Sequence, residues 1–208
     1  MNKYLKYFLL LVVLALVVYK SVYFKKLSAM TVVSVDKFDA TKFTKKLWAK
    51  EFPAKLDSAI ALKDLINAVK ANPTEAFAKY SNTLGIGNYR YCLVTVTGIA
   101  TEINPDDITV QVNATEPAMN IQLATEYVYG NAIRDASGLV DIKDFANNMD
   151  LNSISAALNK RVREEVLPPF KAAVKKGDTI HIAGAIELNK EHIKFNDLEL
   201  IPVQLKIQ

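Results

Sequence analysis

One run of the sequence, Tyr129-Gly130-Asn131-Ala132-Ile133-Arg134-Asp135-Ala136-Ser137-Gly138, is denser in polar groups than a packing role requires. A guanidinium forks onto a carboxylate or onto sugar hydroxyls, and Asn131, Asp135 and Ser137 set acceptors, an amide and a hydroxyl beside it. Asn131, Arg134, Asp135 and Ser137 therefore suit contact with a small polar ligand or a partner. The same residues suit a structured loop in which Arg134 pairs internally with Asp135, Asp141 or Asp144. A second polar cluster, Asn147 to Asn152, fits helix capping first and recognition second, the latter through Asp150 and Asn152. Asp135, Asp141, Asp144 and Asp150 are also close enough in sequence to supply the two carboxylates, about 5–10 Å apart, that a glycosidase needs. Carboxylates at this density are routine on solvated loops. What decides between the two is whether any pair converges in a pocket.

Elsewhere the residues argue against chemistry. Gly85-Ile86-Gly87-Asn88 lacks the Lys-Ser/Thr of a phosphate loop and the third glycine of a dinucleotide fingerprint, so it reads as the turn entering a strand. No GxSxG offers an elbow serine. His181 and His192 lack ligand spacing, and His181 alternates with Ile180 and Ile182, opposite the core. Cys92 is the only cysteine and is in phase with Val94 and Val96, as a buried inert thiol would be. An intrachain disulfide, a thiolate metal cluster and a CxxC redox site are excluded. No catalytic residue, metal or cofactor is expected.

Charge narrows the partners. The 208 residues carry 26 Lys and Arg against 22 Asp and Glu, with a pI of 9.0. Five of the cations (Lys3, Lys6, Lys20, Lys25 and Lys26) lie in residues 1–26, where there is no acid, so the remainder has 21 basic and 22 acidic residues. Nucleic acid would demand a clustered cationic excess there. The basic end instead flanks Tyr7 to Tyr19, an unbroken apolar run of 13 residues covering about 20 Å as a helix. Extension through Phe24 approaches the roughly 30 Å hydrocarbon core if Lys20 snorkels to the headgroups, and Tyr4, Tyr7, Tyr19 and Tyr23 supply interfacial rings. A cleaved signal peptide needs a small-x-small site after the run, a lipoprotein signal needs a nearby cysteine, and a buried core helix is the bland alternative. An uncleaved transmembrane signal anchor over residues 1–26 needs none of these. With a short N-terminal tail left inside, residues 27–208 form an extracytoplasmic domain at the cytoplasmic membrane.

The elements that must position these residues are legible in outline. Thr31 to Val35 reads as a strand or stem. Asp39 caps a helix with Phe43, Leu47 and Trp48 on one stripe, and Pro53 interrupts it. Leu62, Leu65, Ile66 and Val69 mark a second helix, and Asn72-Pro73-Thr74-Glu75 starts a third that carries Phe77 and Tyr80. Residues 39–82 thus form a small helical subdomain. From Tyr89 the period changes to two, giving strands near Cys92–Val96, Ile108–Val112 and Ile121–Leu123. A loop from Gly130 to Phe145 follows. Next comes a helix from Asp150 to about Leu167 with the stripe Leu151, Ile154, Leu158, Val162 and Val166, stopped by Pro168-Pro169. A Gly177-Asp178 turn opens a strand with Ile180, Ile182 and Ile186. The last strand, Leu198 to Ile207, changes phase near Pro202, as at an edge or a bulge. Three strands, a helix and two strands is the order of a five-stranded OB-fold-like β-barrel at 89–208, with the helix between strands 3 and 4 and Gly184 at a tight bend. The fold class is α+β, the alternative being another α+β sheet with a helical insertion.

Ser21 to Leu27 (SVYFKKL), Tyr80 to Asn88 (YSNTLGIGN), Gly130 to Phe145 (GNAIRDASGLVDIKDF) and Asn159 to Phe170 (NKRVREEVLPPF) together resemble an uncharacterised bacterial family of predicted periplasmic lipoproteins, the domain of unknown function 2291. The resemblance spans nearly the whole chain. It implies an extracytoplasmic accessory role beside a sugar ABC transport system, with a permease or solute-binding protein as partner. It brings no catalytic residues. The chain lacks a lipid-accepting cysteine near its N-terminal segment, which favours a helical anchor. The expected function is a membrane-anchored binding or accessory protein, the alternative being an envelope carbohydrate-active enzyme using the loop carboxylates.

Overall fold

The computed structural model of the chain describes residues 2–21, 38–112, 118–145 and 147–208. The chain divides into two units, residues 1–37 and 38–208. In the first, helix α1 (Lys3–Ser21) contains the expected apolar run. At 19 residues it extends about 28 Å, but its wholly apolar part is shorter. Among the described residues no helix is long and apolar enough to cross a membrane. Phe8, Leu10, Leu11, Leu14 and Leu16 of α1 are all exposed. The expected strand Thr31–Val35 lies outside the described residues.

The second unit starts with the helices that the caps foretell. Asp39 accepts from the Lys42 N–H and opens α2 (Ala40–Lys50); Pro53 sits in the first turn of α3 (Phe52–Asp57). Asn72 accepts from the Glu75 N–H and opens α5 (Pro73–Tyr80), after α4 (Leu62–Ala71). Two-residue strands β1 (Ile60–Ala61) and β2 (Ser81–Asn82) add themselves to the sheet. The segment 39–82 builds no core of its own. Leu62, Leu65, Ile66, Val69 and Phe77 join the strands' core, whereas Leu47 and Phe52 join a second core.

Five longer strands follow: β3 (Tyr89–Ile103), β4 (Asp107–Val112), β5 (Met119–Ala124), β6 (Thr179–Asn189) and β7 (Leu198–Ile207). Their pairings run in a ring: β3–β4, β4–β5, β5–β7, β7–β6 and β6–β3. All are antiparallel except β5–β7, which pairs Ile121 with Leu198 in parallel. Cys92, Val94, Ile108, Val110, Ile121, Ile182, Ile186 and Leu200 make one core. At Pro202 the register of β7 shifts: Ala183 faces Gln204 but Gly184 faces Pro202, leaving Val203 as an extra residue. The phase change is thus a bulge, not an edge, because β7 lies between β5 and β6. Gly184 is required by space: a Cβ there would lie 2.4 Å from the Ile201 carbonyl oxygen.

Between β5 and β6 the chain departs from the expectation twice. The loop Gly130–Phe145 contains a helix, α6 (Ala132–Ser137), closed by Gly138 in the left-handed region at φ 61, and then a 3-10 turn, Ile142–Asp144. Too short to show a helical period, α6 is held by packing: Ala136 meets Tyr91, Leu93 and Ala185 on the outer face of β3 and β6. Pro168-Pro169 also do not end the long helix. Helix α7 (Asn148–Arg161) passes into a π turn, Val162–Val166, and then into α8 (Leu167–Ala173). In the π turn the Leu167 N–H reaches back five residues to the Val162 carbonyl. The two prolines then fall in the first turn of α8, where no N–H is required of them. Leu151, Ile154, Leu158 and Val162 are buried against α2 and β7 as the second core.

Candidate functional site

Helix α6 turns the polar run into a network. Arg134 and Asp135 form an ion pair at 2.7 Å in which the carboxylate side chain has no exposure and the guanidinium 7%. The other carboxylate oxygen takes the Asn131 amide at 2.8 Å. Arg134 Nη1 donates to the Leu151 carbonyl at 3.1 Å, which ties α6 to α7. Ser137 Oγ donates to the Arg134 carbonyl at 2.7 Å and accepts from the Leu139 N–H at 3.2 Å. Of the three internal partners open to Arg134, the structure selects Asp135. Asp141 instead caps the Lys143 N–H, and Asp150 accepts from the Asn147 side-chain amide.

One side of this network faces a cleft of about 560 Å³ between Tyr129–Asn131 and α7. Three of the six residues singled out in the sequence line it: Asn131, Arg134 and Asn152. Asp135 and Ser137 are buried behind it, and Asp150 lies at the α7 cap, outside its lining. Six lining residues were not among those singled out: Tyr129, Gly130, Ser155, Ala156, Asn159 and Arg163. A signal for three of them existed. Asn152, Ser155, Asn159 and Arg163 recur at helical spacing, a polar stripe beside the apolar one. Ser155 Oγ is buried and has no hydrogen-bond partner among the described residues. Asn159 donates its amide to the Gly130 carbonyl at 2.8 Å, fixing the opposite wall. Arg163 donates to the Val128 carbonyl and stacks 4.7 Å from the Tyr129 ring centre.

Across the Tyr129–Asn131 wall lies a second cleft of about 380 Å³, lined by Tyr91, Glu187, His192, Lys194 and Glu199 among others. Tyr91 faces Glu187 across the β3–β6 pair. Burial, then the hydrogen bond to Glu187, pushes the Tyr91 phenol up to about 12. Burial raises the Glu199 carboxyl above its usual range, helped by the Glu187 and Asp107 carboxylates. These residues sit on separate strands and a loop, so no sequence spacing marked them. Asp135, Asp141, Asp144 and Asp150 line neither cleft.

The remaining candidates are structural. Burial pushes the Cys92 thiol up to about 12, which removes nucleophilic and metal-binding character. Buried within β3, it is also out of reach of lipid attachment. His181 pairs with Thr97 Oγ1 at 2.9 Å. Among the described residues no three His, Cys, Asp or Glu side chains gather as a metal ion would need.

The family described as "Predicted periplasmic lipoprotein (DUF2291)" matches residues 12–206. An OB-fold protein from Thermotoga maritima matches at 29% identity over 82% of this chain and 99% of its own, with a TM-score of 0.71. A Stn1–Ten1 complex from S. pombe (12% identity, 56% of this chain, 57% of its own) reaches only 0.25. An OBody bound to hen egg-white lysozyme (15%, 63% and 90%) reaches 0.28. No curated protein matches.

Proposed function

This chain belongs to the family of predicted periplasmic lipoproteins, hence is extracytoplasmic and membrane-associated, and on that premise we propose that it is a non-enzymatic binding protein whose cleft at Asn131, Arg134 and Asn152 receives a small polar ligand. The observation that carries this reading is Ser155. A buried hydroxyl without a partner costs about 1–3 kcal/mol, and here it lies in the wall of a polar cleft of ligand size. In this reading the ring of strands is an OB-fold barrel whose outer face bears the cleft. Helix α1 is the anchor, its exposed leucines and valines facing lipid and Lys20 reaching the headgroups. Ala156 lines the cleft on an exposed turn of α7, so Ala156→Trp fills it without disturbing the core. Native mass spectrometry of the detergent-released chain is expected to show a small molecule on the wild type that Ala156→Trp lacks. A wild type without ligand, or a variant that keeps it, overturns the reading.

The partner in this proposal is a permease or solute-binding protein of a sugar ABC transport system, a step that rests on the resemblance alone. Cross-linking in intact cells followed by purification tests it, and failure to recover either component removes that partner. The observation favouring an enzyme is the second cleft, where Glu187 and Glu199 follow the register pair Ile186–Leu200 and so come side by side. Hydrolysis of an envelope glycan that stops in Glu199→Gln would establish this second reading.

A further inference from the structure

The cleft against α7 is unevenly charged. Arg134 and Arg163 both line it, and among the described residues no Asp or Glu does. The charge of Arg134 is already answered by the buried carboxylate of Asp135 at 2.7 Å. Arg163 has no carboxylate partner among the described residues; it donates to a carbonyl and covers the Tyr129 ring. Among the described residues, the positive charge of Arg163 on this wall is therefore uncompensated. Beside it stand a buried, unpartnered hydroxyl, Ser155 Oγ, and the side-chain amides of Asn131 and Asn152.

Resting on the binding reading above, we propose that this cleft takes a small hydroxylated monocarboxylate, its carboxylate on Arg163 with Ser155 donating to it, and its hydroxyls on Asn131 and Asn152. A guanidinium matches the planar, two-oxygen face of a carboxylate. A neutral polyol would use the amides but leave Arg163 uncompensated. A dianion such as sulfate would bring a second charge opposite only Arg134, beside the buried Asp135 carboxylate. The Arg163 cation thus selects the ligand's charge, and the amides its hydroxyl groups.

Isothermal titration of the full chain in detergent separates these cases, using gluconate and glycerate, their neutral counterparts sorbitol and glycerol, and sulfate. At least one acid is expected to bind tenfold or more tightly than its neutral counterpart and than sulfate. Arg163→Gln, which keeps an amide for the Val128 carbonyl, is expected to weaken that binding at least tenfold. Ser155→Ala removes one hydroxyl, should leave the melting temperature unchanged or raised, and serves if Arg163→Gln does not fold. Equal binding of acid and neutral counterpart, tighter sulfate binding, or an unaltered affinity in Ser155→Ala overturns the proposal. If neither acid binds while native mass spectrometry still shows a ligand that Ala156→Trp loses, the ligand class is wrong and the binding reading stands.

Discussion

Arg134 and its counter-ion Asp135 are neighbours in sequence, and helix geometry makes such neighbours diverge. The pair forms because α6 is only six residues long and Arg134 Nε turns back along it, while Nη1 is committed to α7. Nothing in the sequence selects this over Asp141 or Asp144. Arg134→Ala is therefore expected to cost about 3–5 kcal/mol in urea unfolding, as for any buried pair broken from one side. A loss below about 1 kcal/mol would show that the pair is effectively solvated. Because the variant is destabilised, lost binding in it would say nothing about ligand contact, and Asn152 and Ser155 are the informative positions. Glu199 gives a pH-dependent test. Its folded-state carboxyl holds the proton more tightly than the unfolded chain does, so it costs stability as pH rises above the ordinary Glu value near 4.3. Glu199→Gln should raise the melting temperature at pH 7, and the gain should vanish below about pH 4, where both states are protonated.

At the scale of elements, caps and periodicity were legible wherever local chemistry decides the outcome. Asp39 and Asn72 cap as their types require, and the two-residue period from Tyr89 gives β3 its buried Cys92, Val94 and Val96. What the period hides is the second covered face: Tyr91 and Leu93 are buried as well, because α6 packs on them. The prolines misled for a related reason. A π turn supplies the adjustment that lets them open a helix, and no local pattern announces it. Two pairs of variants test the strand assignments. Ile182→Asp places a carboxylate where exposure is zero and should cost several kcal/mol, roughly the price of an unpartnered buried polar group or more. Asp178→Asn, at the turn where it accepts from the Lys175 N–H, should cost under about 1 kcal/mol. Gly184→Ala drives a methyl into the Ile201 carbonyl, a backbone atom that cannot swing aside, and should cost about 1–3 kcal/mol. Gly85→Ala meets nothing within 4 Å and should fall within about 0.5 kcal/mol of wild type. Equal melting of either pair refutes the register described for β6 and β7.

Across the whole molecule, the five cations of residues 1–26 fall within the first unit, residues 1–37, and among the described residues the three cores are built from Phe38 onward. Deleting residues 1–26 should release the protein from membranes without detergent and leave its melting temperature unchanged. A truncated chain that stays in the membrane fraction would move the attachment elsewhere. The ring was legible only as an order of elements. Its parallel β5–β7 contact joins residues more than 70 apart, and hydrophobic period carries no information on such a pairing. That contact also bears on how the protein is made. β7 follows the other four strands of the ring in chain order and fills the gap between β5 and β6. Until residues 198–207 emerge, both neighbours carry bare hydrogen-bonding edges, so no shorter nascent fragment has a closed sheet. Until then the ring of strands stays open between β5 and β6. That interval is when chaperones and proteases have access to it.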